Sequence, residues 1–197
     1  TLPSIAILCA LIMFDCRARN PMRTADVQPM PHGCHISSRG SMFTLFYAPH
    51  TCSLATHIAL EDARAPYQLK RIDFSRTEQQ SRDYLATNPK GRVPALVTPR
   101  GVLTETPSML AFVAQSSPAA RLAPVDDPFA FAEVQTVNSY LCSTLHVAHA
   151  HRMRGYRWAD EPEAIAAMQR KVPQSVSACC DYIERHVLRG PWVMGDT

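Results

Sequence analysis

One stretch constrains the fold more than any other: Phe43-Thr44-Leu45-Phe46-Tyr47-Ala48-Pro49-His50-Thr51-Cys52-Ser53-Leu54. Its first five residues are aromatic and β-type side chains and predict a short buried strand. Ala48 to Thr51 breaks that strand. A helical run follows, with Leu54, Ala55, Ile58 and Ala59 on one face. Cys52 and Ser53 therefore stand where a strand hands over to a helix N-terminus. Backbone N–H groups point out there, and the positive end of the helix dipole lies close. Two readings fit Cys52. In one, its thiol is drawn toward the thiolate by that environment. In the other it is a small buried residue, as most free cysteines are.

Composition limits what can surround this unit. A chain of 197 residues holds one domain or two small ones with ample core. Hydrophobic residues at 46% and charged residues at 19% are those of a soluble globular protein. The net charge of +3 is uneven: Arg17, Arg19, Arg23 and Arg39 face only Asp15 and Asp26 in the first 41 residues. No basic patch points to nucleic acid. The seven cysteines are odd in number and scattered, with no C-x-x-C pair for a metal. They fit a reducing compartment better than a disulfide framework, so a cytoplasmic location is expected.

Residues 1–41 differ from the rest. The apolar run from Ile5 to Phe14 is too short to span a bilayer. It lacks the basic residues and cleavage site of a secretion signal. Pro21, Pro29, Pro31, Gly33 and Gly40 follow it and read as linker. The folded unit is expected to begin near Met42, with 1–41 a disordered or mis-assigned extension. A cleaved or membrane-inserted leader is the other reading.

From Met42 the predicted order is a strand at 43–47, a helix at 53–63, a strand at 67–73 and a weak helix at about 77–86. Asn88-Pro89-Lys90-Gly91 stops that helix. A hairpin of 95–97 with 102–104 comes next, and a helix from Glu105-Thr106-Pro107 to about Gln115. This βαβαββα order describes an α/β sandwich. Pro94 directly before a strand marks an edge, a strand start or a cis bond.

These residues carry a family resemblance. Phe46-Tyr47-x-Pro49-x-x-Cys52-Ser53-Leu54, Asn88-Pro89-Lys90-Gly91-x-Val93-Pro94-Ala95-Leu96 and Leu103-Thr104-Glu105 resemble the cytosolic glutathione S-transferases, most of all the bacterial beta class. The resemblance covers 42–197. It implies an α/β thioredoxin-like domain at 42–116, a linker at 117–128 and an all-α domain at 129–197, the latter incomplete at its C-terminus. It also implies a homodimer, a cis Val93–Pro94 bond, glutathione as co-substrate and a small hydrophobic electrophile as partner. No other cofactor, metal, nucleic acid or membrane is expected.

Glutathione needs an extended backbone beside its cysteinyl unit, and Val93 ahead of Pro94 offers one. Its γ-glutamyl end needs an acceptor for the ammonium, Glu105, and donors for the carboxylate, Thr106. Ordinary helix capping is the other account of Glu105-Thr106. Tyr47, Ser53 and Cys52 match the positions that different classes of the family use on the glutathione sulfur. Tyr47 is equally well placed as a core aromatic.

Ser116 to Pro128 reads as linker. A long helix is predicted from about Phe129 to Met153, with Val134, Val137, Leu141, Leu145 and Ala148 toward the core. Asn138, Cys142, His146 and His149 form a polar stripe on another face. The resemblance makes His146 the histidine that faces the glutathione sulfur. Val147 stands where the family usually has Lys, and Ser139 where it usually has Asn. A last helix is predicted from an Asp160 cap to about Leu188, with Ile165, Met168, Val172, Val176, Cys179, Ile183 and Val187 on one face. Pro173 is expected to kink or break it. Two functions follow: a transferase that conjugates glutathione to electrophiles, with thiol–disulfide exchange through Cys52 as a second use, or a glutathione-binding or stress-associated homologue with little turnover.

Overall fold

The computed structural model describes residues 42–190 and 193–195; the expectations for 1–41 lie outside the described residues. Four strands form one mixed sheet: β1 (Phe43–Tyr47), β2 (Tyr67–Arg71), β3 (Ala95–Thr98) and β4 (Gly101–Thr104). Their order across the sheet is β2-β1-β3-β4. β1 pairs in parallel with β2, Leu45 opposite Leu69, and antiparallel with β3, Leu45 opposite Leu96. β3 and β4 make the predicted hairpin. Helix α1 (Ser53–Asp62) is the crossover between the parallel strands, and α3 (Thr106–Ser116) follows the hairpin and packs beside α1. This is the thioredoxin-like arrangement that the family resemblance implied, built on the βαβαββα order read from the residues.

The alternation in β1 sends its side chains to two cores. Leu45 faces α1 and α3 among Ala55, Ala59, Leu60, Met109 and Val113. Phe46 faces the other way, with Ile72, Tyr84 and Ala95. The weak helix expected at 77–86 is instead two 3-10 turns, Phe74–Arg76 and Glu78–Gln80, and a short α2 (Arg82–Thr87). Thr77 adopts φ +53°, which an α-helix cannot contain. Ser81 then restarts the helix by accepting the Tyr84 N–H.

The second half is helical. Helix α4 (Pro128–Tyr140), capped by Asp127, runs through a π-turn (Leu141–Leu145) into α5 (His146–Arg154). The predicted long helix is thus one rod with a widened turn at its middle, which periodicity did not foretell. Val134, Leu141 and Leu145 are buried, with Val137 and Ala148 partly so. Helix α6 (Pro162–Tyr182) starts after Glu161 rather than Asp160 and continues into a second π-turn (Ile183–Val187). Pro173 lies within α6 and does not end it. Pro173 and Gln169, whose carbonyl loses its helical partner to the ring, are both exposed residues of α6. Val172, Val176, Cys179 and Ile183 join the core that holds Leu45 and Met109. One apolar cluster therefore ties the sheet domain to the helical rod and fixes the cleft between them.

Candidate active site

The loop after β1 is built by its own hydroxyls. Ser53 is 1% exposed. Its Oγ lies 3.1 Å from the Ala48 carbonyl, 3.3 Å from the Ala48 N–H and 2.7 Å from Thr51 Oγ1. Thr51 Oγ1 also accepts the Ser53 N–H at 3.3 Å. The Ser53 hydroxyl is thus engaged inside the turn. Tyr47 is half-buried, its ring 6.4 Å from that of His57 on α1, and His57 Nε2 is 2.8 Å from the Tyr67 hydroxyl. Tyr47 therefore sits in an aromatic group beneath α1. Neither Ser53 nor Tyr47 is among the side chains that act on the Cys52 sulfur.

Cys52 stands at the N-cap of α1. Its thiol points at the Val93 carbonyl, 3.9 Å away. The Thr106 hydroxyl hydrogen-bonds the thiol, and the charges of Arg154 and Glu105 reach it. Burial raises the Cys52 pKa, and this outweighs the lowering by Thr106, the local backbone and Arg154; Glu105 adds to the rise. The expected shift toward the thiolate is reversed. Burial is the first cause; in addition the Leu54 N–H is engaged by the Thr51 carbonyl and the Ser53 N–H by Thr51 Oγ1.

The Val93–Pro94 bond is cis. The loop ahead of it is held from inside. Asn88, 1% exposed, donates from Nδ2 to the Arg92 carbonyl at 2.6 Å and accepts the Lys90 N–H at 3.2 Å. The Tyr84 hydroxyl donates to the same carbonyl at 2.6 Å. Gly91 has φ +60°, and a Cβ there would lie 2.6 Å from Gln80 Nε2.

Glu105 adopts φ +69°, ψ 119°, unusual for a residue with a side chain. It makes no capping hydrogen bond, so the helix-capping account fails for its carboxylate. Instead Lys90 Nζ lies 2.6 Å from Glu105 Oε1 and 2.9 Å from Thr104 Oγ1. Thr106, next in sequence, is 5% exposed at the first turn of α3. Lys90 was not singled out from the sequence. Its place in the Asn88–Gly91 motif was the available signal.

From the helical side, Cys142 faces this group. The charges of Cys52 and Glu105 reach Cys142, whose pKa is pushed up to about 11, chiefly by burial. The His146 pKa is lowered, first by burial and then by the charges of Arg154, His149, Arg157 and Arg92. His146 is thus held neutral, not charged as an imidazolium facing the sulfur would be. Cys52, Val93, Glu105, Thr106 and Cys142 are thus neighbours, while His146 is tied to them through Arg154, whose charge reaches both it and Cys52.

A thioredoxin-like sheet with a thiol at the α1 cap, an extended segment before a cis proline and an acid–threonine pair opening α3 defines a thiol-peptide-binding protein. Residues 41–115 match the glutathione S-transferase N-terminal domain family. A glutathione transferase homologue from Sulfitobacter, solved with bound glutathione, is 48% identical and superimposes with a TM-score of 0.76 over 79% of this chain and 75% of that one. A bacterial beta-class glutathione S-transferase from Sphingomonas chungbukensis is 31% identical, with a TM-score of 0.61 over 74% and 70% of the two chains. The glutathione S-transferase GstA of Escherichia coli O157:H7 is 29% identical over 154 residues, 77% of this chain and 73% of its own. The chain belongs to the glutathione S-transferase family.

Proposed function

We propose that this protein is a glutathione transferase that conjugates glutathione to small hydrophobic electrophiles. The observation that carries the reading is the convergence of Cys52, Val93, Glu105 and Thr106 at one cleft. The Sulfitobacter relative binds glutathione. In the proposed complex the Val93 backbone pairs with the cysteinyl unit of glutathione. The Glu105 carboxylate takes the γ-glutamyl ammonium, and Thr106 takes the γ-glutamyl carboxylate by its hydroxyl and backbone N–H. Lys90 holds Glu105 in position.

The sulfur chemistry falls to Cys52 and His146. Burial keeps Cys52 as a neutral thiol, able to donate S–H to the glutathione thiolate and lower its pKa. Neutral His146 can accept the glutathione thiol proton and pass it to water. The thiolate then forms a carbon–sulfur bond with an aryl halide, and the halide leaves with its bonding pair. Disulfide exchange through Cys52 needs the thiolate that burial disfavours, so conjugation is the primary activity. Ser53 and Tyr47 serve the turn and the α1 packing. A thioredoxin-like unit over 42–116, a linker over 117–128 and a helical unit from 129 are the proposed domains. A homodimer in the cytoplasm is the proposed setting; no helix among the described residues is long and apolar enough to cross a membrane.

Turnover of a chloronitrobenzene with glutathione tests the function. Measurable conversion that falls in Glu105→Ala supports it. Glutathione binding without turnover of any aryl halide would favour the glutathione-binding homologue instead.

A further inference from the structure

The sheet domain carries a second recess at the end away from Cys52. β1 ends beside the Cys52 loop and begins at Phe43. Helices α1 and α3 begin at the catalytic end and finish at Asp62 and Ser116. Ten residues of α1 separate the two ends by about 15 Å. β3 runs antiparallel to β1 with Val97 opposite Thr44, so its turn at Pro99 and Arg100 also lies at the far end. A recess of about 460 Å³ opens there, a volume in the range of small-molecule sites.

Its walls are of two kinds. Phe43 and Phe112 pack edge-on, ring centroids 5.7 Å apart, and give an apolar side. Arg64, Arg100, Ser116 and Ser117 give a polar one. Both arginines stand on hydrogen-bonded turns. The Arg64 N–H donates to the Glu61 carbonyl at 2.9 Å, and the Ala65 N–H to the Leu60 carbonyl at 3.0 Å. Arg64 holds φ +50° there, at the position after a helix where glycine is the usual residue. Thr98 Oγ1 accepts the Arg100 N–H at 3.2 Å and donates to the Gly101 carbonyl at 2.8 Å. Among the described residues, no acidic side chain lines the recess and neither arginine is ion-paired.

We infer that this recess is a binding site, separate from the catalytic cleft, for a phosphate monoester with a flat aromatic body. Two guanidiniums and two serine hydroxyls make a donor-rich wall without a counter-charge. A phosphate ester brings three acceptor oxygens, enough to engage both arginines at once by charge-assisted hydrogen bonds. The Phe43–Phe112 pair offers the apolar contact that the ring needs. The other role open to the arginines is to offset the carbonyl ends of α1 and α3.

Titration calorimetry with naphthyl phosphate tests the inference, on the full chain with excess S-hexylglutathione to fill the catalytic cleft. Naphthyl phosphate should bind about tenfold or more tightly than inorganic phosphate or naphthol, since each of these lacks one half. Arg64→Gln/Arg100→Gln should weaken it by about tenfold or more, the loss of charged hydrogen bonds. Arg64→Gly removes a guanidinium yet suits φ +50°, so it should melt no lower than the wild type while affinity falls. Amide NMR shifts on titration should centre on Arg64, Arg100 and Ser117. No binding of naphthyl phosphate, affinity matched by naphthol, or affinity unmoved by the double substitution overturns the inference. So do shifts centred on Cys52 and Thr106. An Arg64→Gly protein that loses stability but keeps its affinity assigns that arginine to the helix end, and overturns it too.

Discussion

Asn88 holds two parts of the site at once, and its replacement by alanine separates the consequences. The side chain is 1% exposed and makes two hydrogen bonds, to the Arg92 carbonyl at 2.6 Å and from the Lys90 N–H at 3.2 Å. Each is worth about 1 kcal/mol net, so Asn88→Ala should cost roughly 2 kcal/mol. In a chain of this size that lowers Tm by about 4–8 °C. Tyr84→Phe removes the other donor to Arg92 and should cost about 1 kcal/mol alone. Either single variant leaves the Arg92 carbonyl one donor; the double variant leaves it none. The double variant should therefore lose about 1 kcal/mol more than the two costs added. Because the same loop positions Val93 and Lys90, glutathione affinity should weaken in step with stability. Thermal melts by circular dichroism and titration calorimetry with glutathione measure both. An Asn88→Ala protein that melts within about 1 °C of the wild type, or strictly additive costs, would refute this account.

Three further outcomes follow. Glu105→Ala removes the proposed partner of the glutathione ammonium and should weaken binding by about tenfold or more, read by calorimetry. Cys52 should react with iodoacetamide more slowly than a free cysteine at neutral pH, accelerating only above the ordinary thiol range; Thr106→Val should delay the acceleration further, and a rapid neutral reaction would show that burial is not dominant. His146 titrates below its unfolded value, so the unfolded chain binds more protons as pH falls through about 6.5. Its contribution to stability is present above that pH and lost below it, and His146→Gln should flatten this acid limb of the Tm profile.

The sheet was legible because its signals were local. Phe43–Tyr47 is aromatic and β-type, Ala48–Thr51 breaks, and Pro99-Arg100-Gly101 turns, so the strands along the chain and the hairpin followed from neighbours in sequence, while the order β2-β1-β3-β4 across the sheet did not. The helix expected at 77–86 failed because Thr77 takes a left-handed conformation that composition does not announce. The rod at 128–154 was read correctly in length, but the π-turn at 141–145, where Leu141 and Leu145 enter the shared core, has no signature in the periodicity. Cys52, Val93, Glu105 and Thr106 were named from motif positions. Lys90, Arg92 and Arg154 were not, since each acts on a partner far along the chain.

The protonation state of Cys52 shows where local reasoning fails. A cysteine at a helix N-terminus gains from oriented N–H groups, and that gain is read from sequence. Its loss on burial is set by what covers it, here the Val93 loop, the opening of α3 and the rod beyond. The structure also engages the nearby N–H groups with Thr51, so the gain shrinks while the loss grows. Cys142, facing Cys52 from the rod, is raised as well, partly by the charge Cys52 would carry. A cleft that penalises negative sulfur on both walls favours its two thiols as donors. In the proposed complex those donors face the glutathione sulfur, and Arg154, whose charge reaches Cys52, offsets part of the cost of a thiolate there.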